Sequence, residues 1–202
     1  MPPISDTIVE MFDDLQQLFG YQGAIDGREG VAEVGPDLLV VPCWTRSFCA
    51  TLVRAAEALG AFEPQPDDPV PGHEVSLAVI SPRLFEVVQD DFGMRIWPQL
   101  RTVWPYVDYH GLRDAFVIRY ASGEQESLRI HHDVAQVSGS IKLNDGYTGA
   151  ELVFPRQAFD NSAMGVGEML LWPSLVTHPH ETAQLVEGVK YALTVWFELP
   201  SF

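Results

Sequence analysis

Three metal-binding side chains fall on consecutive positions at His131, His132 and Asp133. Successive side chains on a strand face opposite sides, so His131 and Asp133 share a face and His132 points away. A third ligand can come from a second segment, where His178 and His180 are also two apart and share a face with each other. Two histidines and one carboxylate leave several coordination positions open. That set suits non-haem Fe(II), whereas structural zinc prefers a closed tetrahedron of Cys and His. The chain has two Cys, Cys43 and Cys49, neither near these residues. Taken alone, His-x-Asp reads equally well as a hydrogen-bonded cluster with no metal.

The surrounding order favours a metal. An aromatic strand precedes the motif, and LNDGYTGAELVFP and the strand entry GEMLLWPS follow it. The distal histidines and Gly188-Val189-Lys190-Tyr191 come after these. This order resembles the 2-oxoglutarate- and Fe(II)-dependent oxygenases of the prolyl 4-hydroxylase type, and most of all the catalytic domain of the procollagen lysyl hydroxylases. The residues that carry the resemblance are Arg119-Tyr120, Glu124-Gln125, Ser127-Leu128-Arg129, His131-His132-Asp133 and Thr177 to Glu181. The likeness spans about Pro36 to Pro200, loosely in its first half and specifically in its second.

The resemblance implies roles that spacing does not. Strand parity leaves His178 and His180 equivalent. In the family the distal ligand lies ten residues before the basic residue that holds the 2-oxoglutarate tail, and His180 with Lys190 fits that separation. The implied metal set is therefore His131, Asp133 and His180, which are also the catalytic residues, with His178 a hydrogen-bonded neighbour. Lys190, Tyr120 and Thr194 are the implied 2-oxoglutarate contacts. Alternation puts Lys190, Ala192, Thr194 and Trp196 on one strand face, and a lysine inside an apolar barrel is costly without an anion to pair with. Lys142 is a candidate second cation there, and Arg129 a candidate for the pocket mouth. Trp172 and Trp196 read as core. Fe(II), 2-oxoglutarate and O2 are implied cofactors, with ascorbate as an accessory reductant. Halogenating relatives lack the carboxylate, so Asp133 points to hydroxylation, with release of succinate and CO2.

Composition narrows the partners. Asp and Glu number 28 against 12 Lys and Arg, a net charge of -16, which repels nucleic-acid phosphates. No apolar run is long enough to span a membrane and the start is not that of a secretory signal, so neither membrane nor nucleic acid is an expected partner and the expected location is cytoplasmic. Cys43 and Cys49 are expected to be reduced. The expected substrate is a small-molecule or peptidyl amino acid with a lysine-like cationic side chain. The absence of a glycosyltransferase-like domain points away from collagen. Alternatives are a neutral free or carrier-bound amino acid, a metal enzyme that does not use 2-oxoglutarate, and a non-catalytic jelly-roll binding module.

The elements that must position these residues divide the chain into an N-terminal helix and linker over 1–35 and an oxygenase domain over 36–202. Apolar spacing from Ile4 to Phe19, with Ser5 or Asp6 as cap and Gly20 as stop, predicts an amphipathic helix; Tyr21 to Gly35 reads as loop. A short strand, Leu38 to Val41, precedes a helix opened by Thr45 or Ser47 that buries Phe48, Leu52, Ala55, Ala56 and Leu59 and stops at Gly60. Glu63 to Gly72, with four Pro, is an irregular rim loop. Val75 to Ile80 reads as a strand. Ser81-Pro82 opens a helix with a break at Pro98 that runs to about Trp104. Strands are then predicted at Leu112 to Tyr120, Arg129 to Asp133, Gln136 to Leu143, Glu151 to Phe154, Glu168 to Trp172, Leu175 to His180 and Lys190 to Leu199, with a turn at Asn144 to Gly149. The expected fold class is α+β: a double-stranded β-helix, a cupin-like jelly roll, with helices of the N-terminal half on one face.

Overall fold

The computed structural model describes residues 18–20, 30–64 and 70–200. Of the expected N-terminal helix only Leu18 and Phe19 fall among these, and they are helical and buried. Phe19 stacks on Trp44 at 5.4 Å, and Gly20 follows with φ +71°.

Thirteen strands carry the fold among the described residues. They are β1 (Ala32–Gly35), β2 (Leu38–Pro42), β3 (Glu74–Ser76), β4 (Leu112–Ala121), β5 (Leu128–His131), β6 (Val137–Lys142) and β7 (Thr148–Gly149), then β8 (Leu152–Phe154), β9 (Phe159–Asp160), β10 (Glu168–Pro173), β11 (His180–Thr182), β12 (Leu185–Glu187) and β13 (Val189–Phe197). A seven-stranded antiparallel sheet runs β1-β2-β10-β6-β13-β4-β3, a four-stranded one runs β5-β11-β8-β9, and β12 pairs with β7. The two larger sheets pack face to face. Leu38, Val40, Leu170 and Trp172 meet Leu152 and Phe154 at one end, and Phe116, Ile118, Tyr120 and Ala192 meet Leu128, Ala150 and Leu185 at the other.

Helices cover the outer face of the large sheet, as the sequence predicts. The first, α1 (Arg46–Leu59), is capped by Thr45, whose hydroxyl accepts from the Phe48 amide, and ends at Gly60 with φ +63°. Its Phe48, Cys49, Leu52, Ala55 and Ala56 are buried, but Leu59, expected to be buried, ends the helix exposed. Val75 to Ile80 is not one strand: β3 stops at Ser76, whose hydroxyl accepts from the Ala78 amide and starts the short helix α2 (Leu77–Ile80). Ser81 then caps α3 (Pro82–Asp91), as expected. The irregularity expected at Pro98 comes earlier, as a π-helical turn over Phe92–Ile96 that leads into α4 (Trp97–Leu100). Proline lacks the amide that a regular turn would need, and the wider turn accommodates that loss upstream. Asp91, buried at the end of α3, receives two hydrogen bonds from Arg95, whose guanidinium also donates to the carbonyls of Pro42 and Cys43. One ion pair thus fastens the helical layer to the end of β2.

Two further expectations are corrected. Ala32–Gly35, expected as loop, is strand β1, paired to β2. Leu175 to His180, expected as strand, begins as a 3-10 turn over Leu175–Thr177, with pairing resuming only at His180. Leu175 has φ +63°, which a strand does not admit. Cys43 and Cys49 are both buried thiols, and burial pushes each up to about 12. Among the described residues no helix is long and apolar enough to cross a membrane.

Gly167 fixes the junction of β2, β6 and β10. Its carbonyl accepts from the amides of Cys43 and Trp44, its amide donates to the Lys142 carbonyl, and its φ is +89°. A Cβ there would lie 1.8 Å from the Trp44 carbonyl oxygen. Gly167→Ala is expected to cost about 3 kcal/mol or more, read as a lower urea midpoint with unchanged slope.

Candidate active site

The metal-ligand candidates converge through strand register. His131 ends β5 and His180 begins β11, and the two are direct cross-strand partners, with ring centroids 4.4 Å apart. Asp133 lies beyond the end of β5, its backbone carbonyl held by the Leu175 amide, and its carboxylate turns back between the rings. Its Oδ1 is 3.5 Å from His131 Nε2 and its Oδ2 is 3.6 Å from His180 Nε2. One ligand atom from each of the three lies within 4.8 Å of the others.

Tautomers follow from the backbone. His131 Nδ1 lies 2.8 Å from the Arg129 carbonyl and His180 Nδ1 lies 3.0 Å from the His178 carbonyl. A carbonyl only accepts, so each Nδ1 carries its proton and each Nε2 lone pair points to the common centre, the usual way a metal-binding imidazole is oriented. Trp172 at 4.9 Å and Phe154 at 5.3 Å wall the His180 ring.

Electrostatics match this packing. Burial favours neutral His180, and that desolvation outweighs the pull of Asp133, so its pKa is lowered. Burial acts the same way on the less enclosed His131, but there the hydrogen bond and charge of Asp133 prevail and the pKa is raised. For Asp133, burial opposes ionisation, yet the His131 hydrogen bond, the His180 charge and Ser138 hold its carboxyl below the usual range. The ionised Oδ2 is nevertheless buried with no hydrogen-bond partner. A buried carboxylate oxygen without a donor is costly, and a cation at the common centre would remove the cost. The donor set of two imidazoles and one carboxylate fits Fe(II).

A cavity of about 310 Å³ joins this cluster to the other predicted residues, within the usual size of a small-ligand site. Lys190, Ala192, Thr194 and Trp196 all line it, as strand parity requires. Lys190 is buried, and its Nζ donates to the Ala150 carbonyl at 2.6 Å and lies 4.9 Å from the Tyr120 ring centroid. Burial lowers its pKa to about 7, with Glu151 opposing and Lys142 adding to the fall. Tyr120 lines the cavity too, and its hydroxyl pairs with Thr182 Oγ1 at 2.9 Å. Val70 and Gly72 supply part of the rim, and residues 65–69 of the loop expected at Glu63 to Gly72 lie outside the described residues.

Three expectations are revised. Arg129 is exposed and is not among the cavity-lining residues: His131 pairs with His180 but Leu128 with Thr182, so β5 carries an extra residue and alternation breaks at Arg129. Lys142 does not line the cavity; its Nζ donates to the Met164 carbonyl and pairs with Asp145 at 3.1 Å. Trp196, read as core, is a half-buried cavity wall, and Trp172 is core as read while also lining the cavity. Glu74 and Arg113 also line the cavity and escaped the sequence reading, one falling between a predicted loop and strand, the other inside a strand whose bulge has no sequence signature. His178, as expected, is structural: Nδ1 pairs with Thr177 Oγ1 and Nε2 with the Pro36 carbonyl.

Comparison with known proteins bears on this geometry. The chain is 29% identical over 187 residues to the multifunctional procollagen lysine hydroxylase and glycosyltransferase LH3 of Rattus norvegicus, covering 86% of this chain and 25% of that protein. It is 29% identical over 167 residues to procollagen-lysine,2-oxoglutarate 5-dioxygenase 1 of Mus musculus, covering 77% and 23%. The viral collagen prolyl hydroxylase of Paramecium Bursaria Chlorella virus-1, solved as its 2-oxoglutarate complex, superposes with TM-score 0.62 at 16% identity, covering 88% of this chain and 100% of that one. This chain is thus similar in sequence to procollagen lysine hydroxylases and in fold to prolyl hydroxylases. A Pseudomonas putida prolyl-4-hydroxylase shares the fold at TM-score 0.56 and 18% identity, over 82% and 94% of the two chains. The chain spans about a quarter of the length of the curated relatives it matches. No family model matches.

Loss of metal binding should follow the converging atoms. His131→Ala, Asp133→Ala and His180→Ala are each expected to abolish Fe(II) binding in an anaerobic titration, while His132→Ala keeps it. His178→Ala is expected to keep the metal and cost about 1–2 kcal/mol of stability in a melt.

Proposed function

We propose that the chain is an Fe(II)- and 2-oxoglutarate-dependent hydroxylase built on a double-stranded β-helix, acting on an unactivated C–H of a cationic amino-acid or peptidyl side chain. The observation that carries this reading is a single cavity lined both by three converging ligands with an orphaned carboxylate oxygen and by a buried lysine. His131, Asp133 and His180 would hold the iron. Bound together, iron and 2-oxoglutarate supply the O2-dependent oxidation that releases succinate and CO2 and hydroxylates the substrate.

The chain's own residues do the rest. Lys190 is the counter-charge for the distal carboxylate of 2-oxoglutarate, with Tyr120 beside it and Thr194 further along the same strand face, both as hydroxyl donors. Lysine offers a point charge and not a planar fork, so orientation depends on these neighbours. Phe116, Ile118, Leu152, Trp172 and Trp196 keep the chamber apolar, which strengthens each charge contact inside it. The relatives named as procollagen lysine hydroxylases and the excess of 28 acidic over 12 basic residues both support a cationic substrate.

Adding Fe(II) and 2-oxoglutarate without oxygen is expected to produce a metal-to-ligand charge-transfer band, and admitting air to release succinate. Lys190→Ala is expected to raise the 2-oxoglutarate concentration required about tenfold to a hundredfold, the size of a charge-assisted hydrogen bond. No band from the unsubstituted protein would refute the reading.

The depressed Lys190 pKa also fixes a pH dependence. Between about 7 and the ordinary 10.5, the unfolded chain holds a proton that the folded chain lacks, so this residue makes stability rise with pH across that window. A bound carboxylate reverses the shift by favouring the ammonium. Affinity for 2-oxoglutarate is therefore expected to weaken from pH 7 to pH 9, with proton uptake on binding seen by calorimetry in buffers of different ionisation enthalpy. Lys190→Arg should remove the dependence, because arginine stays charged.

A further inference from the structure

We infer that Glu74 and Arg113 choose the substrate, Glu74 taking a cationic group and Arg113 a carboxylate of one extended dipolar molecule: an amino acid with a basic side chain and a free carboxylate. The assignment rests on the hydroxylase reading and goes further, because it separates a free amino acid from an internal residue of a peptide. Once the three ligand candidates and buried Lys190 are assigned, the carboxylate and guanidinium lining the cavity belong to Glu74 and Arg113.

They stand at different places along β4. Glu74 lies half-buried on the edge strand β3, opposite Ile118. Arg113 would turn away from the cavity by strict alternation with Phe116, Ile118 and Tyr120. A bulge re-aims it: Phe197 pairs with Leu112 and Trp196 with Asp114, so Arg113 is the extra residue of β4. Its guanidinium lies 5.8 Å from the centroid of the Trp196 ring and donates to the Val134 carbonyl, next to Asp133 in sequence. Arg113 therefore sits at the metal end of the cavity rim.

Five positions separate Arg113 from Ile118, about 16 Å of strand. The two charges therefore enter the cavity at different places along β4. Between them the wall is Phe116, Ile118 and Trp196, apolar surface that suits a methylene stem with charged ends. An internal peptide residue brings no carboxylate to Arg113. A free basic amino acid does.

Calorimetric titration of L-lysine, L-lysine amide and L-norleucine into the protein loaded with Fe(II) and 2-oxoglutarate, without oxygen, reads binding apart from turnover. L-lysine is expected to bind, and the amide and norleucine each to bind about tenfold or more weakly. Glu74→Gln should abolish the preference over norleucine, and Arg113→Gln the preference over the amide. Because Arg113 holds the loop after Asp133, the charge-transfer band must persist in its variant; if it does not, Arg113→Lys, which keeps a donor for Val134 but only a point charge, replaces it, and there an undiminished preference over the amide counts as survival. No heat with L-lysine, three ligands bound alike, or preferences that survive both substitutions would overturn the assignment. A protein that forms the band but ignores these charges loses this inference alone. One that makes the charge distinctions without forming the band loses the hydroxylase reading instead.

Discussion

The Asp133 carboxylate is held out of water between two imidazoles, and much of the surrounding structure follows from that. An ionised carboxylate with one oxygen lacking any donor is unfavourable in the folded protein alone. It persists because its neighbours are set by independent forces. Strand pairing places His180 opposite His131, two backbone carbonyls fix the rings, and Trp172 and Phe154 close off the space behind them. The stability cost of such a site is borne by the outer face of the large sheet, where the helical layer buries most of the hydrophobic core.

Two lysines on neighbouring strands illustrate how partners decide what a charge is for. Lys142 pairs across the sheet with Ala192, a cavity-lining residue, so alternation alone gives it nearly the same claim to the pocket as Lys190. Asp145 and the Met164 carbonyl draw its ammonium elsewhere. Lys190 has one neutral carbonyl and an aromatic face for company, and burial drives its pKa down to about 7. An ammonium satisfied at the surface has little to gain from an incoming anion. One held at the edge of neutrality gains its charge from it.

The sequence made legible whatever depends on residue type and regular period. The face shared by Lys190, Ala192, Thr194 and Trp196 followed from alternation, and the caps at Thr45 and Ser81 from side-chain chemistry. The choice of His180 over His178 came from the spacing of a resembling family, since alternation left them equal; the 3-10 turn at Leu175–Thr177 then removed His178 from the strand altogether. What stayed hidden is what breaks the period. A bulge in β5 turned Arg129 out, a bulge in β4 turned Arg113 in, and a hydroxyl at Ser76 ended a strand that apolar pattern would have continued to Ile80. Bulges depend on how two strands meet, and the meeting partner is a long way off in sequence.

That same distinction separates the parts of the site that can vary from those that cannot. His131 and His180 are tied to the pairing of β5 with β11, so moving either disturbs the register of the small sheet, and Asp133 is held just past β5 by the Leu175 amide. Glu74 belongs to a three-residue edge strand hydrogen-bonded on one side to β4, with the rim loop before it and Val70 and Gly72 already on the cavity wall. A change of side chain there alters the charge met by a ligand without touching the core of the large sheet. The charge presented to a ligand can therefore change at β3 while His131, Asp133, His180 and Lys190 stay fixed, the division expected when a rigid scaffold holds one set of groups and an edge strand holds another.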